Sequence, residues 1–168
     1  MNPYHRLHEL RMENDAARYA QQEQAPRFQT MKNRHENGTA PRAVVAYQLF
    51  QTPPELAARV IAAAGVQAGD RVLEPSAGLG RLIDCLPRCV KVAIEIAPQC
   101  AAELFTQERE DLTLLQRDFL TVQPEEVGTF DAVVMNPPFH MRADVKHILH
   151  ARKFVKSGGT LAAMFGYP

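Results

Sequence analysis

From Val44 onward the chain alternates short apolar runs with stretches in which apolar residues recur every three or four positions. The runs 71–74, 90–96, 112–116, 130–135 and 160–165 are four to six or seven residues long and rich in Val, Ile and Leu, which predicts buried strands. Thr52-Pro53-Pro54-Glu55 predicts a helix start, with Thr52 as cap, proline in the first turn and Glu55 completing a Thr-x-x-Glu box. Leu56, Val60 and Ile61 mark one face of that helix, and Gly65 stops it. Further helices are predicted over about 79–86, 98–107 and 144–155. Only the connection between the third and fourth strands, 121–128, is short, acidic and without a helical period. Strands alternating with helices predict an α/β fold, a doubly wound and mostly parallel sheet with helices on both faces.

Residues 1–42 depart from this pattern. They hold seven Lys/Arg against five acids, and Leu7, Leu10, Ala16 and Ala17 make a helical stripe too thin to bury well. They read as an N-terminal helical arm, either solvated or contacting nucleic acid, ahead of a domain over 43–168. Over the whole chain Lys+Arg and Asp+Glu balance at 19 each, so no global positive field points to nucleic acid, and a local basic patch stays open. Cys85, Cys89 and Cys100 are odd in number and have no His at ligand spacing, so they read as buried thiols of a cytoplasmic protein and no metal is expected. The polar N-terminus and the lack of a long apolar run speak against secretion and membrane insertion.

Candidate chemistry gathers at the predicted strand ends. The first strand runs into Glu74-Pro75-Ser76-Ala77-Gly78-Leu79-Gly80, whose glycines permit a tight turn and close backbone approach to a ligand. A helix N-terminus after that turn would favour a carboxylate or phosphate. No Gly-Lys-Ser/Thr follows, and the third glycine of the dinucleotide fingerprint is missing, which argues against a P-loop and a nicotinamide site. Glu95, 21 residues after Glu74, stands where an acid accepts from the ribose hydroxyls of a nucleoside cofactor. Asp118 can accept from an adenine amine, and the Phe119 ring beside it can cover the base. Asn136-Pro137-Pro138-Phe139 ends the fourth strand with an amide, a rigidly held carbonyl and a flat ring, a set able to hold a planar group by its exocyclic amine. His140, His147 and His150 read as solvated or packed. Arg142, Lys146, Arg152, Lys153 and Lys156 make this region positive, as a solvated face or as a contact for a phosphate backbone.

In this order, Glu74 to Gly80, Glu95, Asp118-Phe119 and Asn136 to Phe139 resemble the class I S-adenosylmethionine-dependent methyltransferases. More narrowly they resemble the Asn-Pro-Pro-Phe DNA adenine-N6 methyltransferases of phage and plasmid type. Phe50-Gln51-Thr52-Pro53-Pro54-Glu55 is similar to the entry motif of that group. The resemblance implies a Rossmann-like methyltransferase fold, S-adenosyl-L-methionine as cofactor and DNA as partner. It places Phe50, Thr52 and Glu74 at the methionine part, with backbone around Ser76, Gly78 and Gly80 wrapped around it. It places Glu95 at the ribose, Ile96 on the adenine face, and Asp118 with Phe119 at the adenine edge. Asn136, Pro137 and Phe139 would be catalytic. Related groups that methylate a guanine amine in ribosomal RNA or a protein glutamine use the same motif, and His140 after Phe139 leans towards the RNA group. A cofactor-binding module without catalysis is the reading of a different class. The family continues past the fifth strand, whereas this sequence ends at Tyr167-Pro168. The fold is therefore expected to be abbreviated at its C-terminus. Its fifth strand would lie at a sheet edge, open to the arm, a second copy or another partner.

Overall fold

The computed structural model describes residues 51–107, 109 and 111–165. The expectations for the arm over 1–42, for Phe50 and for Tyr167-Pro168 lie outside the described residues. The helix α1 (Pro54–Ala64) precedes β1 (Arg71–Glu74), β2 (Val90–Ile94), α2 (Pro98–Thr106) and β3 (Leu112–Leu115). The short α3 (Pro124–Val127), then β4 (Phe130–Met135), α4 (Ala143–Ala151) and β5 (Val155–Ala163) follow. The strands form one parallel sheet in the order β3-β2-β1-β4-β5, with β3 and β5 at its edges. Chain order reverses between β1 and β4, so a crevice opens there beyond the strands' carboxyl ends.

Alternation along the strands divides the core. Leu73 and Val133 face one side, where they meet Phe119, Phe130, Phe154 and Ala151. Val72, Ala132 and Val134 face the other, against Ala57, Ile61 and Ala64 of α1. Phe130 and Phe154 are fully buried, each contributing about 2–3 kcal/mol by removal of apolar area from water. Helix α1 ends as expected, at Gly65 with φ 65°.

Four expectations are corrected. Thr52 does not cap α1: Pro53 occupies that position and no side-chain cap bond forms, and the Thr52 hydroxyl instead accepts from Asn136. The helix predicted over 79–86 is a three-residue 3-10 turn, Ile83–Cys85. Gly80 has φ 80° and Pro87 forces Leu86 into an extended conformation (ψ 142°), which leaves too few residues for an α-helix. The connection 121–128 does contain helix, as Phe119–Thr121 (3-10) and α3, the latter closed by a box in which Gln123 N–H donates to Glu126 at 2.9 Å. Finally, β5 starts at Val155 rather than at 160, across an irregularity opposite Phe130 and Ala132. The Asp131 carboxylate holds that irregularity, accepting from Arg71 N at 2.9 Å and from Lys156 Nζ at 2.7 Å. A Cβ on Gly159 would stand 2.7 Å from the Asp131 carbonyl oxygen, so only glycine fits.

Candidate active site

The end of β1, the glycine turn and the end of β4 share one cleft. It is lined by Thr52, Glu74, Ser76, Ala77, Gly78 and Asn136, together with Gln51, Leu79 and Arg81. Gly78 and Gly80 both have positive φ, 53° and 80°. A Cβ on Gly80 would lie 2.8 Å from Arg109 Nη2 and from Leu104 Cδ2, so this glycine is required by backbone and by packing alike. No helix follows the turn closely, so an N-terminal helix dipole is not what the cleft offers.

Glu74 is 2% exposed at the bottom of the cleft. Burial pushes its carboxyl well above the usual carboxylate range; the Ile83 amide opposes this, and the charges of Glu95 and Asp84 add to it. Its Oε2 has no hydrogen-bond partner among the described residues. A buried carboxylate oxygen without a donor is costly unless protonated or met by a donor. A ligand ammonium is such a donor, and the residues present therefore fit the amino-acid end of S-adenosylmethionine.

Glu95 lies just past β2 and is 8% exposed. Its carboxylate accepts from Gly78 N at 2.6 Å and from Ala97 N at 2.7 Å, which ties the glycine turn to the end of β2. A carboxylate has about four lone-pair sites, so capacity for hydroxyl donors remains. Ile96 is 63% exposed beside it, an apolar side chain open to solvent. Asp118 caps the turn after β3, with Oδ1 accepting from Leu120 N at 2.9 Å.

Phe119 is buried more deeply than Asp118. Its ring is buried among His150, Phe154 and His147, with centroids 4.8, 5.3 and 5.7 Å away. That ring packs into the core cluster at the start of the 3-10 turn.

Asn136 closes β4 on the opposite wall of the cleft. Its Nδ2 donates to Thr52 Oγ1 at 3.1 Å, across 84 residues of sequence. Pro137 is fully buried, while Pro138 and Phe139 are half-buried. Of the histidines, His150 is structural: it is buried, and its Nε2 lies 2.9 Å from the Val122 carbonyl oxygen. His147 is not simply packed. It is half-buried with Nδ1 3.4 Å from Ser76 Oγ, next to the glycine turn, and desolvation holds its imidazole below the ordinary value.

Sequence reasoning missed His147, and also Arg109 and Arg81. Arg109 donates to the Leu79 carbonyl at 3.2 Å and to Asp84 at 2.9 Å, bracing the turn from below. Arg81 donates to Gln51 Oε1 at 3.0 Å along the cleft rim. Only Arg81, adjacent to Gly80, carried a local signal. Among the described residues no group of His, Cys, Asp and Glu is placed to hold a metal ion, and no helix is long and apolar enough to cross a membrane.

The parallel sheet, its order and the cleft at the reversal point define the fold of the class I S-adenosylmethionine-dependent methyltransferases. The chain superposes on TrmN from Thermus thermophilus with a TM-score of 0.58, at 19% identity, covering 67% of this chain and 38% of that one. The type I restriction-modification system methyltransferase subunit from Streptococcus thermophilus gives a TM-score of 0.60 at 18% identity, covering 73% and 35%. In sequence, the chain is 32% identical over 112 residues to ribosomal RNA small subunit methyltransferase A of Bifidobacterium longum subsp. infantis, covering 58% of this chain and 36% of that protein. The chain thus spans about a third of the length of the curated relatives it matches. No family model matches it.

Proposed function

We propose that this domain is the cofactor-binding and methyl-transfer part of an S-adenosylmethionine-dependent N-methyltransferase acting on nucleic acid, with the exocyclic amine of adenine as acceptor. The observation that carries this reading is the placement of Asn136, at the end of β4, on the same cleft as buried Glu74 and the glycine turn. In the proposed site Glu74 takes the ammonium of the methionine part, Glu95 the ribose hydroxyls and Asp118 the adenine amine, with Ile96 against the adenine face. Bound there, the cofactor would supply a sulfonium methyl as the electrophile.

The remaining work falls to the chain's own residues. An adenine amine is a poor nucleophile because its lone pair is delocalised into the ring. Accepting its two N–H groups at the Asn136 side-chain oxygen and the Pro137 carbonyl draws the nitrogen towards tetrahedral geometry and frees the lone pair. Orientation and fixed dipoles then supply most of the acceleration, and no strong base is required before transfer, the surplus proton of the methylated amine leaving to solvent afterwards. Phe139 stacks on the target base, which must leave a duplex to reach it.

The motif order from Thr52 to Phe139 supports DNA as the polymer. The names of the sequence relatives support RNA as the second reading. Transfer of labelled methyl onto DNA, RNA and protein, followed by digestion to nucleosides, separates them. The expected product is an N6-methylated adenine that Asn136→Ala abolishes while cofactor affinity is retained. Cofactor binding with no transfer to any acceptor would refute the reading and leave a binding module.

A further inference from the structure

The segment that follows the Asn-Pro-Pro-Phe motif presents an unusual outer face. Met141 is 81% exposed, the most exposed large apolar side chain among the described residues, and Val145 and Leu149 stand out at 49% and 57%. Val145 and Leu149 lie four residues apart on one side of α4, and Met141 stands in the turn that leads into it. Arg142 in that turn, Lys146 on α4 and Lys153 in the 3-10 turn that follows are exposed as well. The single acid in this stretch, Asp144, is buried at 8%. The face therefore offers cations and apolar side chains without an exposed carboxylate.

The turn that aims Met141 is itself uncommon. Met141 and Arg142 both have positive φ, 50° and 58°, a conformation that non-glycine residues rarely adopt, and rarer still in succession. Residues held in sparsely populated backbone regions cluster where a ligand is gripped. This pair starts two residues after Phe139, so the turn follows the Asn-Pro-Pro-Phe motif directly in the chain.

We propose that the face from Met141 to Lys153 is the track on which a nucleic acid strand lies, with the cations on its phosphates and Met141 against the base next to the target. Three exposed apolar side chains are too few for a protein interface, which takes about 800 Å² from each partner. Cations with no acid between them complement a polyanion. The identification of the neighbouring cleft as the target site rests on the methyl-transfer reading above; the polyanion track does not require it.

Fluorescence anisotropy of the full chain with labelled single-stranded and duplex DNA and RNA tests this across a salt series. In Arg142→Gln/Lys146→Gln the slope of log affinity against log salt becomes shallower by about 1.4 on single strands and about 1.8 on duplex. The loss of affinity between about 50 and 200 mM salt accordingly shrinks about tenfold. The matched control Arg59→Gln/Arg88→Gln, exposed cations elsewhere on the surface, keeps the wild-type slope. Met141→Ala weakens binding several-fold with the slope unchanged, as expected of an apolar contact. Equal slopes in the two double variants overturn the track, and so does a wild-type chain that binds neither polymer. Binding that depends on this face without methyl transfer to any nucleic acid supports the track and refutes the methyl-transfer reading instead.

Discussion

Replacing Glu74 by Gln removes one buried titratable proton while keeping the side chain's size and shape. The folded carboxyl titrates well above its ordinary value because burial disfavours the charged form, with Glu95 and Asp84 adding repulsion. The unfolded carboxyl titrates at about 4.3. Between those two values the folded chain holds a proton that the unfolded chain has released, so stability falls as pH rises through the window. One proton corresponds to a slope of at most about 1.4 kcal/mol per pH unit. The variant lacks this slope, and its stability relative to wild type therefore climbs from pH 5 to pH 7. A constant offset is expected as well, because the new amide N–H₂ meets a site whose Oε2 has no partner among the described residues. The diagnostic quantity is the change with pH and not the offset. Urea unfolding of both proteins at pH 5, 6 and 7, followed by circular dichroism, gives it directly. A difference between the two that stays constant over this range would refute the assignment of a raised Glu74. The same group predicts that, at a pH inside that window, binding of S-adenosylmethionine releases a proton from wild type, because an ammonium beside Glu74 favours its charged form. Titration calorimetry in buffers of different ionisation enthalpy reads that proton, and Glu74→Gln should not release it.

Three further outcomes test other parts of the site. Gly80→Ala places a methyl 2.8 Å from Arg109 and Leu104 at φ 80°; it should lower stability by about 2–4 kcal/mol in denaturant melts and weaken cofactor binding with it. Thr52→Val removes the acceptor for the Asn136 amide at 3.1 Å, and a stability loss of about 1 kcal/mol is expected, with a larger fall in transfer rate than in cofactor affinity. An unchanged rate would show that this bond does not orient Asn136. Phe119→Ala should cost about 3–5 kcal/mol in the ligand-free protein, as a core residue does; a small cost together with a large loss of cofactor affinity would return its ring to the base.

Local pattern was enough for much of the fold. Arg71–Glu74 and Phe130–Met135 match the predicted strand limits, because each centres on adjacent branched apolar residues and is bounded by turn residues. The chemistry at strand ends was legible for a related reason: in a parallel sheet every strand's carboxyl end reaches the same edge, so Glu74, Glu95, Asp118 and Asn136 had to lie along it. Where the reading failed, a contact distant in sequence won over a local preference. Thr52 has the sequence of a cap, yet its hydroxyl meets Asn136. For Phe119 the local sequence was silent on the ring's packing against His150 and Phe154.

The order of apolar runs and turn residues thus determined, without further help, a parallel α/β sheet and the edge at which its polar groups collect, since both follow from periodicity and chain direction. The tertiary structure alone decided which of those groups face one another. The β1–β4 adjacency that creates the cleft, the 84-residue reach from Thr52 to Asn136, the approach of His147 to Ser76 and the burial that raises Glu74 all depend on packing between segments far apart in the chain. No local spacing encodes such pairings. They emerge only when the hydrophobic faces close on each other and bring distant polar groups into the same small, poorly solvated volume.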